Sequence, residues 1–262
     1  MAIVIGVLGI CVGSFLNVVI YRVPLRRSVV SPPSACTTCG VRVKSYDNIP
    51  VISWLLLHGR CRSCKAQIPR RYIYVEVGTG LFFWVVANQF STTKPLLLIA
   101  FLFLAAATIA LALIDVDSHT LPNQILIPIF VVGTVLLVAD GVASRQYGAI
   151  LRALLAMLLL GLFYLVLNLI YPEGMGMGDV KLAGPLGLFL GYLSWGILLV
   201  GALSAFLLGG LFSLGLVIFR GANRKSGIPF GPWMLTGAWI GIFFGATIFH
   251  RYLSLFGLAS HV

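Results

Sequence analysis

Two acidic clusters in an otherwise apolar chain hold the residues best suited to chemistry. The chain has 262 residues and only 7 aspartates and glutamates. Asp115 and Asp117 directly follow one apolar run, and Asp179 follows a glycine-rich stretch just before another. Burying an ionised aspartate in a bilayer costs roughly 2.5–3.5 kcal/mol, a cost rarely accepted without a function. We therefore expect Asp115 and Asp179 to meet within a bundle of helices.

A pair of carboxylates favours hydrolysis of a peptide bond. Two such groups cannot both ionise easily, so one keeps a proton. The ionised group takes a proton from water, while the protonated group assists the attacked carbonyl and then the leaving amine, with no covalent intermediate. A proton-coupled transporter also places carboxylates inside a bundle, so the residues alone leave both hypotheses open. Taken singly, Asp117, Asp140 and Glu76 are expected to be hydrated charges at helix ends.

The stretch before Asp179 carries three glycines at alternate positions, Gly174, Gly176 and Gly178. Glycine adopts backbone conformations closed to other residues and allows a neighbour to approach closely. We expect these glycines to use both properties and to set Asp179 at the mouth of a membrane helix.

Four of the five cysteines form two Cys-x-x-Cys pairs, Cys36 with Cys39 and Cys61 with Cys64. This pattern brings four thiolates to the corners of a tetrahedron, the geometry that zinc accepts, and Gly40 and Gly59 are expected to ease the turns. Two disulfides are the alternative, but they need an oxidising compartment. A site with four sulfur ligands has no open position, so its zinc is predicted to be structural. The fifth cysteine, Cys11, is predicted to be a packing residue.

The composition, 60% hydrophobic and 10% charged, predicts an all-α polytopic membrane protein rather than a soluble domain. The net charge of +11 is interpreted as basic loops on one side of a bilayer, not as a nucleic-acid surface. Runs of about 20 apolar residues cross a membrane. We predict eight spans, at about 1–21, 73–91, 95–114, 124–140, 149–170, 180–194, 196–219 and 232–250, and expect the first to be retained rather than cleaved as a signal peptide.

The distribution of basic residues predicts the orientation of these spans. Ten of the 18 lysines and arginines lie in residues 22–72, which places this loop in the cytoplasm. Both termini then lie outside, and Asp115, Asp117, Glu173 and Asp179 lie at cytoplasmic helix ends. On the last span, Gly237, Gly241 and Gly245 recur every four residues, which predicts close helix packing.

Several motifs together resemble the type IV prepilin peptidases, membrane aspartyl proteases with a Gly-x-Gly-Asp signature. In chain order the matching segments are Gly13–Pro24, the two cysteine pairs with Asn48–Pro50 between them, Arg71–Tyr72, Ile114–Asp117 with Leu121–Pro122, Glu173–Leu182 and Ile228–Pro232. The order and the number of these segments make the resemblance specific. Asn123 departs from it, because many members have an aspartate there, and the stretch between Pro24 and Cys36 is shorter than in many relatives.

The resemblance implies that Asp115 and Asp179 are the catalytic pair, supported by Gly176, Gly178, Lys181 and Asp117. It implies cleavage of a short basic leader, after a glycine, from prepilin or pseudopilin subunits of a type IV pilus or type II secretion system. It also implies N-methylation of the new amino terminus with S-adenosylmethionine, a function that accompanies the four-cysteine loop.

The resemblance organises the chain into a first transmembrane helix (1–21), a cytoplasmic zinc loop with the methyltransferase region (22–72) and a transmembrane peptidase core (73–262), in a bacterial inner membrane. Two rival hypotheses are a non-enzymatic membrane protein, such as a transporter or an assembly factor that uses its zinc loop, and a Gly-x-Gly-Asp protease that cuts within helices.

Overall fold

The computed structural model describes residues 1–90, 93–172, 174–220 and 229–257, and in these ranges the chain is all-α, as predicted. The helices are α1 (Ala2–Arg22), α2 (Ile52–Leu56), α3 (Arg71–Gln89), α4 (Pro95–Ser118), α5 (Asn123–Ala143), α6 (Tyr147–Ile170), α7 (Met177–Leu193), α8 (Trp195–Arg220) and α9 (Gly231–Leu255). A 3₁₀ turn at Ser45–Asn48 and two isolated β-bridges, Ala35 with Arg42 and Arg60 with Gln67, lie in the loop after α1.

Each of the eight predicted spans is occupied by a helix. Six of these, α1, α4, α5, α6, α8 and α9, are long and apolar enough to cross a membrane among the residues that the structure describes. The remaining two, α3 and α7, are shorter, at 19 and 17 residues. Glu173, Ile228 and the basic residues Arg224 and Lys225 lie outside the described residues.

The chain divides into two compact units, Met1–Ile114 and Asp115–Val262. In the first unit α1 packs along α3. A Cβ atom on Gly13 of α1 would lie 2.7 Å from the Cα of Glu76 in α3. Contact this close is possible only because glycine lacks a side chain, and small residues commonly allow it between membrane helices.

In the second unit α6 packs on α7, and α8 packs on α9. The prediction for the last span is confirmed, because Cβ atoms on Gly237, Gly241 and Gly245 would meet the backbone of α8 at 2.5–3.1 Å. The three glycines therefore hold α8 and α9 in backbone contact.

Two of the three acids expected to be hydrated are instead buried. Asp140 is 4% exposed and Glu76 is 8% exposed, so the prediction is wrong for both, whereas Asp117 is exposed as expected. Cys11 was predicted to pack, yet it is exposed on α1. The predictions for these residues used only their distance from the end of an apolar run. That distance does not show which face of the helix a residue occupies, and the face decides whether it is buried.

Asp140 is part of a polar cluster around the end of α7. Its Oδ2 accepts a hydrogen bond of 2.6 Å from the Tyr192 hydroxyl. The guanidinium of Arg152 in α6 donates to the carbonyl oxygens of Gly191, Tyr192 and Leu193 at 2.6, 2.7 and 3.0 Å. The last carbonyls of a helix have no partner within the helix, and a cation there also complements the helix dipole. Arg152 thus caps α7.

We predict that Arg152→Leu destabilises the protein by about 2 kcal/mol, since hydrogen bonds to a charged group are lost and buried carbonyls are left without donors. Arg152→Lys recovers only part of this stability, because a single ammonium cannot span three carbonyls. Thermal unfolding in detergent measures the effect, with Arg251→Leu as the control at an exposed arginine. Equal stability of the Arg152→Leu and Arg251→Leu variants would rule out the capping role.

Candidate active site and metal centre

Asp115 lies in the last turn of α4, within the second unit. The helix ends because His119 adopts a left-handed backbone conformation (φ 51°), and the His119 N–H closes the turn by donating to the Asp115 carbonyl at 2.8 Å. A left-handed residue is a common helix terminator. Leu121 and Pro122 then lead directly into α5, so Asp115 is fixed at the base of a short connection.

Asp179 lies in the first turn of α7, as the third residue of the helix. Its Oδ2 accepts a 3.1 Å hydrogen bond from the Gly176 N–H, and its own N–H donates to the Gly176 carbonyl at 3.0 Å. The first of these bonds is one half of a capping box, in which an acidic side chain in the first turn accepts from the N–H of the residue before the helix. The N-terminus of α7 also favours a negative charge at this position, so local structure alone orients the carboxylate.

Leu121 connects the two aspartates. A Cβ atom on Gly178 would lie 3.0 Å from the Leu121 Cβ, and a Cβ on Gly231 would lie 3.2 Å from the Leu121 Cδ2. The same position on Gly231 would be only 2.6 Å from Oδ2 of Asp115. Leu121 is therefore packed between Gly178, which precedes Asp179, and Gly231, which lies against Asp115. The two carboxylates are close enough for their charges to interact. The sequence-predicted pair is thus brought together.

Both carboxylates are buried, with Asp115 4% and Asp179 7% exposed. The Gly231 N–H interacts electrostatically with Asp115, but Oδ2 of Asp115 has no partner at hydrogen-bonding geometry among the described residues. A buried carboxylate oxygen without a donor is costly. Functional sites are where such costs are commonly found, and a pair of acids in this state is able to share a proton and to act on water.

A cluster of aromatic side chains lies next to Asp179. Tyr164 of α6 is 1% exposed and is close enough to Asp179 to interact with its charge. Its ring lies 5.5 Å from that of Phe206 and 6.2 Å from that of Phe230. Packing of this kind lowers the local dielectric constant, which strengthens electrostatic interactions between the carboxylates and anything bound to them.

Two of the three alternate glycines are needed for space, and none of the three is needed for unusual backbone angles. None of Gly174, Gly176 and Gly178 has a left-handed φ, which corrects the first part of the sequence-based expectation. Close approach is confirmed at Gly178, which abuts Leu121, and at Gly174, where a Cβ would overlap the Tyr171 ring. At Gly176 the nearest atom to a Cβ would be Oδ2 of Asp179 at 3.7 Å, an ordinary contact.

Two further contacts hold the start of α7. Nδ2 of Asn168 donates to the Met175 carbonyl at 2.6 Å, which ties the glycine stretch to α6. Nζ of Lys181 donates to Oδ1 of Asn123 at 3.1 Å, which joins the starts of α5 and α7. Sequence reasoning gave Lys181 no contact and overlooked Asn168. Asn123 is 58 residues from Lys181 in sequence, so no local pattern pointed to that contact, whereas Asn168 and Met175 are only 7 residues apart.

The four paired cysteines of the first unit form one cluster. The sulfur atoms of Cys36, Cys39, Cys61 and Cys64 all lie within 4.8 Å of one another, and Sγ of Cys36 is 3.8 Å from Sγ of Cys64. Zinc–sulfur bonds of about 2.3 Å in a tetrahedron place sulfurs about 3.8 Å apart, whereas a disulfide requires about 2.05 Å. The donor set fits a metal ion with four thiolate ligands.

The two cysteine pairs sit on matching turns. Gly40 donates its N–H to the Cys36 carbonyl at 2.9 Å, and Lys65 donates its N–H to the Cys61 carbonyl at 3.0 Å. In each turn the residue that directly follows the second cysteine has a left-handed backbone conformation, with φ 70° at Gly40 and 59° at Lys65. The chain thus repeats one metal-binding turn, with glycine in this position in one copy only. Gly59 is also left-handed (φ 65°) and lies against the ring of Trp54.

The electrostatics of the cluster favour loss of protons to a cation. Backbone N–H groups of Cys39 and Thr38 lower the pKa of the Cys36 thiol to about 6. For Cys64 the Ala66 N–H acts in the same direction, but desolvation and contact with the other three sulfurs outweigh it and raise the pKa to about 11. Cys36 therefore gives up its proton readily, whereas Cys64 does so only when a cation offsets the charge of the neighbouring sulfurs, as a bound metal ion would.

Comparison with known proteins shows the family to which the chain belongs. Residues 7–90 match the Bacterial Peptidase A24 N-terminal domain, and residues 102–214 match the Type IV leader peptidase family. A prepilin leader peptidase/N-methyltransferase of Pseudomonas putida is 35% identical over an alignment that covers 96% of this chain and 93% of the relative. The chain belongs to the type IV leader peptidase family. No solved structure matches it.

Other relatives of this leader peptidase carry the same name. The protein of Aeromonas salmonicida is 34% identical, over 93% of this chain and 90% of the relative. That of Myxococcus xanthus is 40% identical, over 72% of this chain and 56% of the relative. The resemblance inferred from the sequence motifs is therefore confirmed.

We predict that the leader peptidase purifies with one metal ion per chain, held by the four-cysteine cluster. Cys36→Ser and Cys64→Ser are expected to lose the ion, because removing one thiolate leaves the tetrahedron incomplete. Metal analysis of the purified protein by mass spectrometry measures the content, and Cys11→Ser is the matched control, since the fifth cysteine lies outside the cluster. Retention of a full equivalent of metal by both cluster variants would contradict the assignment.

Proposed function

We propose that the chain is a multi-pass membrane aspartyl endopeptidase that removes the basic leader of prepilin or pseudopilin subunits after a glycine. It then N-methylates the new amino terminus with S-adenosylmethionine. The observation that carries the peptidase proposal is the buried pair Asp115 and Asp179, held together through Leu121. Membership of the leader peptidase family and the names of the relatives support the same reaction.

In this proposal the two carboxylates share the work of hydrolysis. One is ionised and takes a proton from the attacking water, and the other donates a hydrogen bond to the scissile carbonyl and later a proton to the leaving amine. Oδ2 of Asp115 has no protein hydrogen-bond partner among the described residues, so it is left to bond water or substrate once the site admits them. The Gly176 N–H bond to Asp179 fixes the second carboxylate, so little reorganisation is needed during the reaction.

The proposed orientation places the loop 22–72 and both aspartates at the cytoplasmic face and both termini outside. A substrate helix lying in the bilayer would then present its scissile bond at the level of the aspartates. Lys181 and Asn123 brace the helix starts beside the pair, and Gly178 leaves room for Leu121. Glycine before the scissile bond suits such a confined site, because it demands the least space.

We assign the second activity to residues 22–72 together with the flanking helices of the first unit, and the peptidase to the remainder of the transmembrane core. The four-cysteine cluster is proposed to hold a structural zinc ion, since four thiolates leave no open coordination position. In methyl transfer a carbon–nitrogen bond forms as the sulfur–methyl bond breaks. The sulfonium becomes a thioether and the amine loses a proton.

The rival hypotheses have less support. A transporter does not require the leader peptidase match, and a protease that cuts within helices would leave the methyltransferase name of the relatives unexplained. Mapping the cut site in a prepilin substrate by mass spectrometry separates the two proteases, because leader removal gives a single cut after glycine at the membrane surface.

We predict that Asp115→Asn and Asp179→Asn each lower the rate of leader cleavage by about 10²-fold or more, the usual contribution of a general acid or base. Both variants are expected to remain folded, because asparagine keeps the shape of the side chain. Asp140→Asn is the matched control, since its amide oxygen still accepts the bond from Tyr192 and its cleavage rate should stay near that of the wild type. Near-normal cleavage by either active-site variant would refute the catalytic pair.

We also predict that the two glycines of the signature differ. Gly178→Ala forces the new methyl group against Leu121 and is expected to lower the cleavage rate by about tenfold or more, because small displacements of catalytic groups are costly. Gly176→Ala is expected to stay within about threefold of the wild type, since a Cβ atom there would make only an ordinary contact, 3.7 Å from Oδ2 of Asp179, and the backbone angles suit alanine. Equal losses in prepilin cleavage assays would show that steric room at Gly178 is not the determinant.

A further inference from the structure

A cavity of about 290 Å³ lies in the first unit, next to the four-cysteine cluster. The end of α1, the cysteine turns, α2 and the start of α3 line it, and the wall includes Asn17, Ser53, Trp54, Tyr72 and Glu76. Its volume is near the lower end of the range typical of small-molecule sites, about 300 Å³. Neither the peptidase pair nor the metal ligands account for such a cavity.

Glu76 is the unusual group in its wall. The side chain is 8% exposed, and the only hydrogen bond that the described residues give its carboxylate is from the Val51 N–H to Oε2, at 2.7 Å. No cation of the described part of the chain forms a salt bridge with it. Because Gly13 packs on the Cα of Glu76, the residue is held in place. A fixed, buried carboxylate without a counter-ion is costly unless something else supplies positive charge.

A second carboxylate in the same wall provides the contrast. Asp47 accepts hydrogen bonds of 2.6–3.0 Å from the guanidinium of Arg62, and this pairing holds its pKa below the usual range. Its charge is therefore already neutralised. Of the two acids lining the cavity, Glu76 is the one whose charge is left to a ligand.

The remainder of the wall suits a cation attached to a polar, aromatic group. Nε1 of Trp54 is buried and has no acceptor among the described residues, although a buried indole N–H normally finds one. Trp54, Tyr21 and Tyr72 bring aromatic rings to the cavity, and such rings attract a cation that has lost its water. Arg42 in the rim suits a ligand carboxylate.

We propose that this cavity is the binding site for S-adenosylmethionine and that Glu76 faces its sulfonium group. The ligand carries what the cavity lacks: a positive charge for Glu76, acceptors on the nucleoside for the Trp54 N–H, and a carboxylate for the basic rim. The inference rests on the proposed methyltransferase function and names the carboxylate by which that site selects the charged methyl donor over its uncharged product.

The test compares two ligands that differ at the sulfur. S-adenosylmethionine carries the sulfonium charge, whereas S-adenosylhomocysteine carries a neutral thioether. Binding of each to the purified, metal-loaded, full-length protein is measured by equilibrium dialysis for the wild type, Glu76→Gln and Asp47→Asn. Glutamine retains an oxygen for the Val51 N–H, so Glu76→Gln removes the charge and spares this bond. Metal content is measured in every variant.

We expect Glu76→Gln to weaken S-adenosylmethionine binding by about tenfold or more and S-adenosylhomocysteine binding by less than about threefold, because only the former loses a charge-assisted contact. Asp47→Asn is expected to leave the ratio of the two affinities unchanged. If Glu76→Gln weakens both ligands equally, or lowers the metal content, Glu76 supports the fold and the inference is wrong. An equal change of ratio in Asp47→Asn would also overturn it.

The same experiment distinguishes failure of the inference from failure of the proposed function. A wild-type protein that neither binds S-adenosylmethionine nor methylates a cleaved prepilin lacks the methyltransferase activity altogether. A wild-type protein that does both, while Glu76→Gln keeps its preference for the charged ligand, retains the activity but binds the donor elsewhere.

Discussion

The peptidase site depends on close contact between the backbone of two glycines, Gly178 and Gly231, and the side chain of Leu121. The Leu121 side chain packs against Gly178 and against Gly231, close to where a Cβ atom of each would be. Gly231 also contacts the carboxylate of Asp115. The three segments that carry these residues are far apart in sequence. A Cβ atom on Gly178 would be tightly placed against Leu121, and one on Gly231 would collide with the carboxylate of Asp115. The steric fit brings the two carboxyl groups together against the cost of burying acidic groups side by side.

Glycines also allow close packing between helices elsewhere in the described part of the chain. Gly13 brings α1 onto the Cα of Glu76, and Gly237 and Gly241 bring α9 onto the backbone of α8. Between membrane helices the hydrophobic effect gives little net attraction, so close packing and hydrogen bonds hold them together. One such set of hydrogen bonds joins Arg152 of α6 to the backbone at the end of α7.

Features fixed by local sequence could be predicted. The eight apolar runs became eight helices because a bilayer requires runs of that length, and the two cysteine turns followed from their spacing. Asp115 and Asp179 could be singled out because each directly adjoins an apolar segment. The burial of Glu76 and Asp140, the bond between Lys181 and Asn123, and the packing of Leu121 between two glycines depend on contacts between remote segments. No periodicity or motif in a single sequence specifies these contacts.

The central claim is that Asp115 and Asp179 act as one catalytic unit, and the most direct measurement is the rate of prepilin cleavage by the double variant Asp115→Asn/Asp179→Asn beside both single variants. Residues that act as a unit show strongly non-additive effects. The account predicts that the double variant cleaves no more slowly than the slower single variant. Losses that multiply in the double variant would contradict it, because they would mean that the two carboxylates contribute independently.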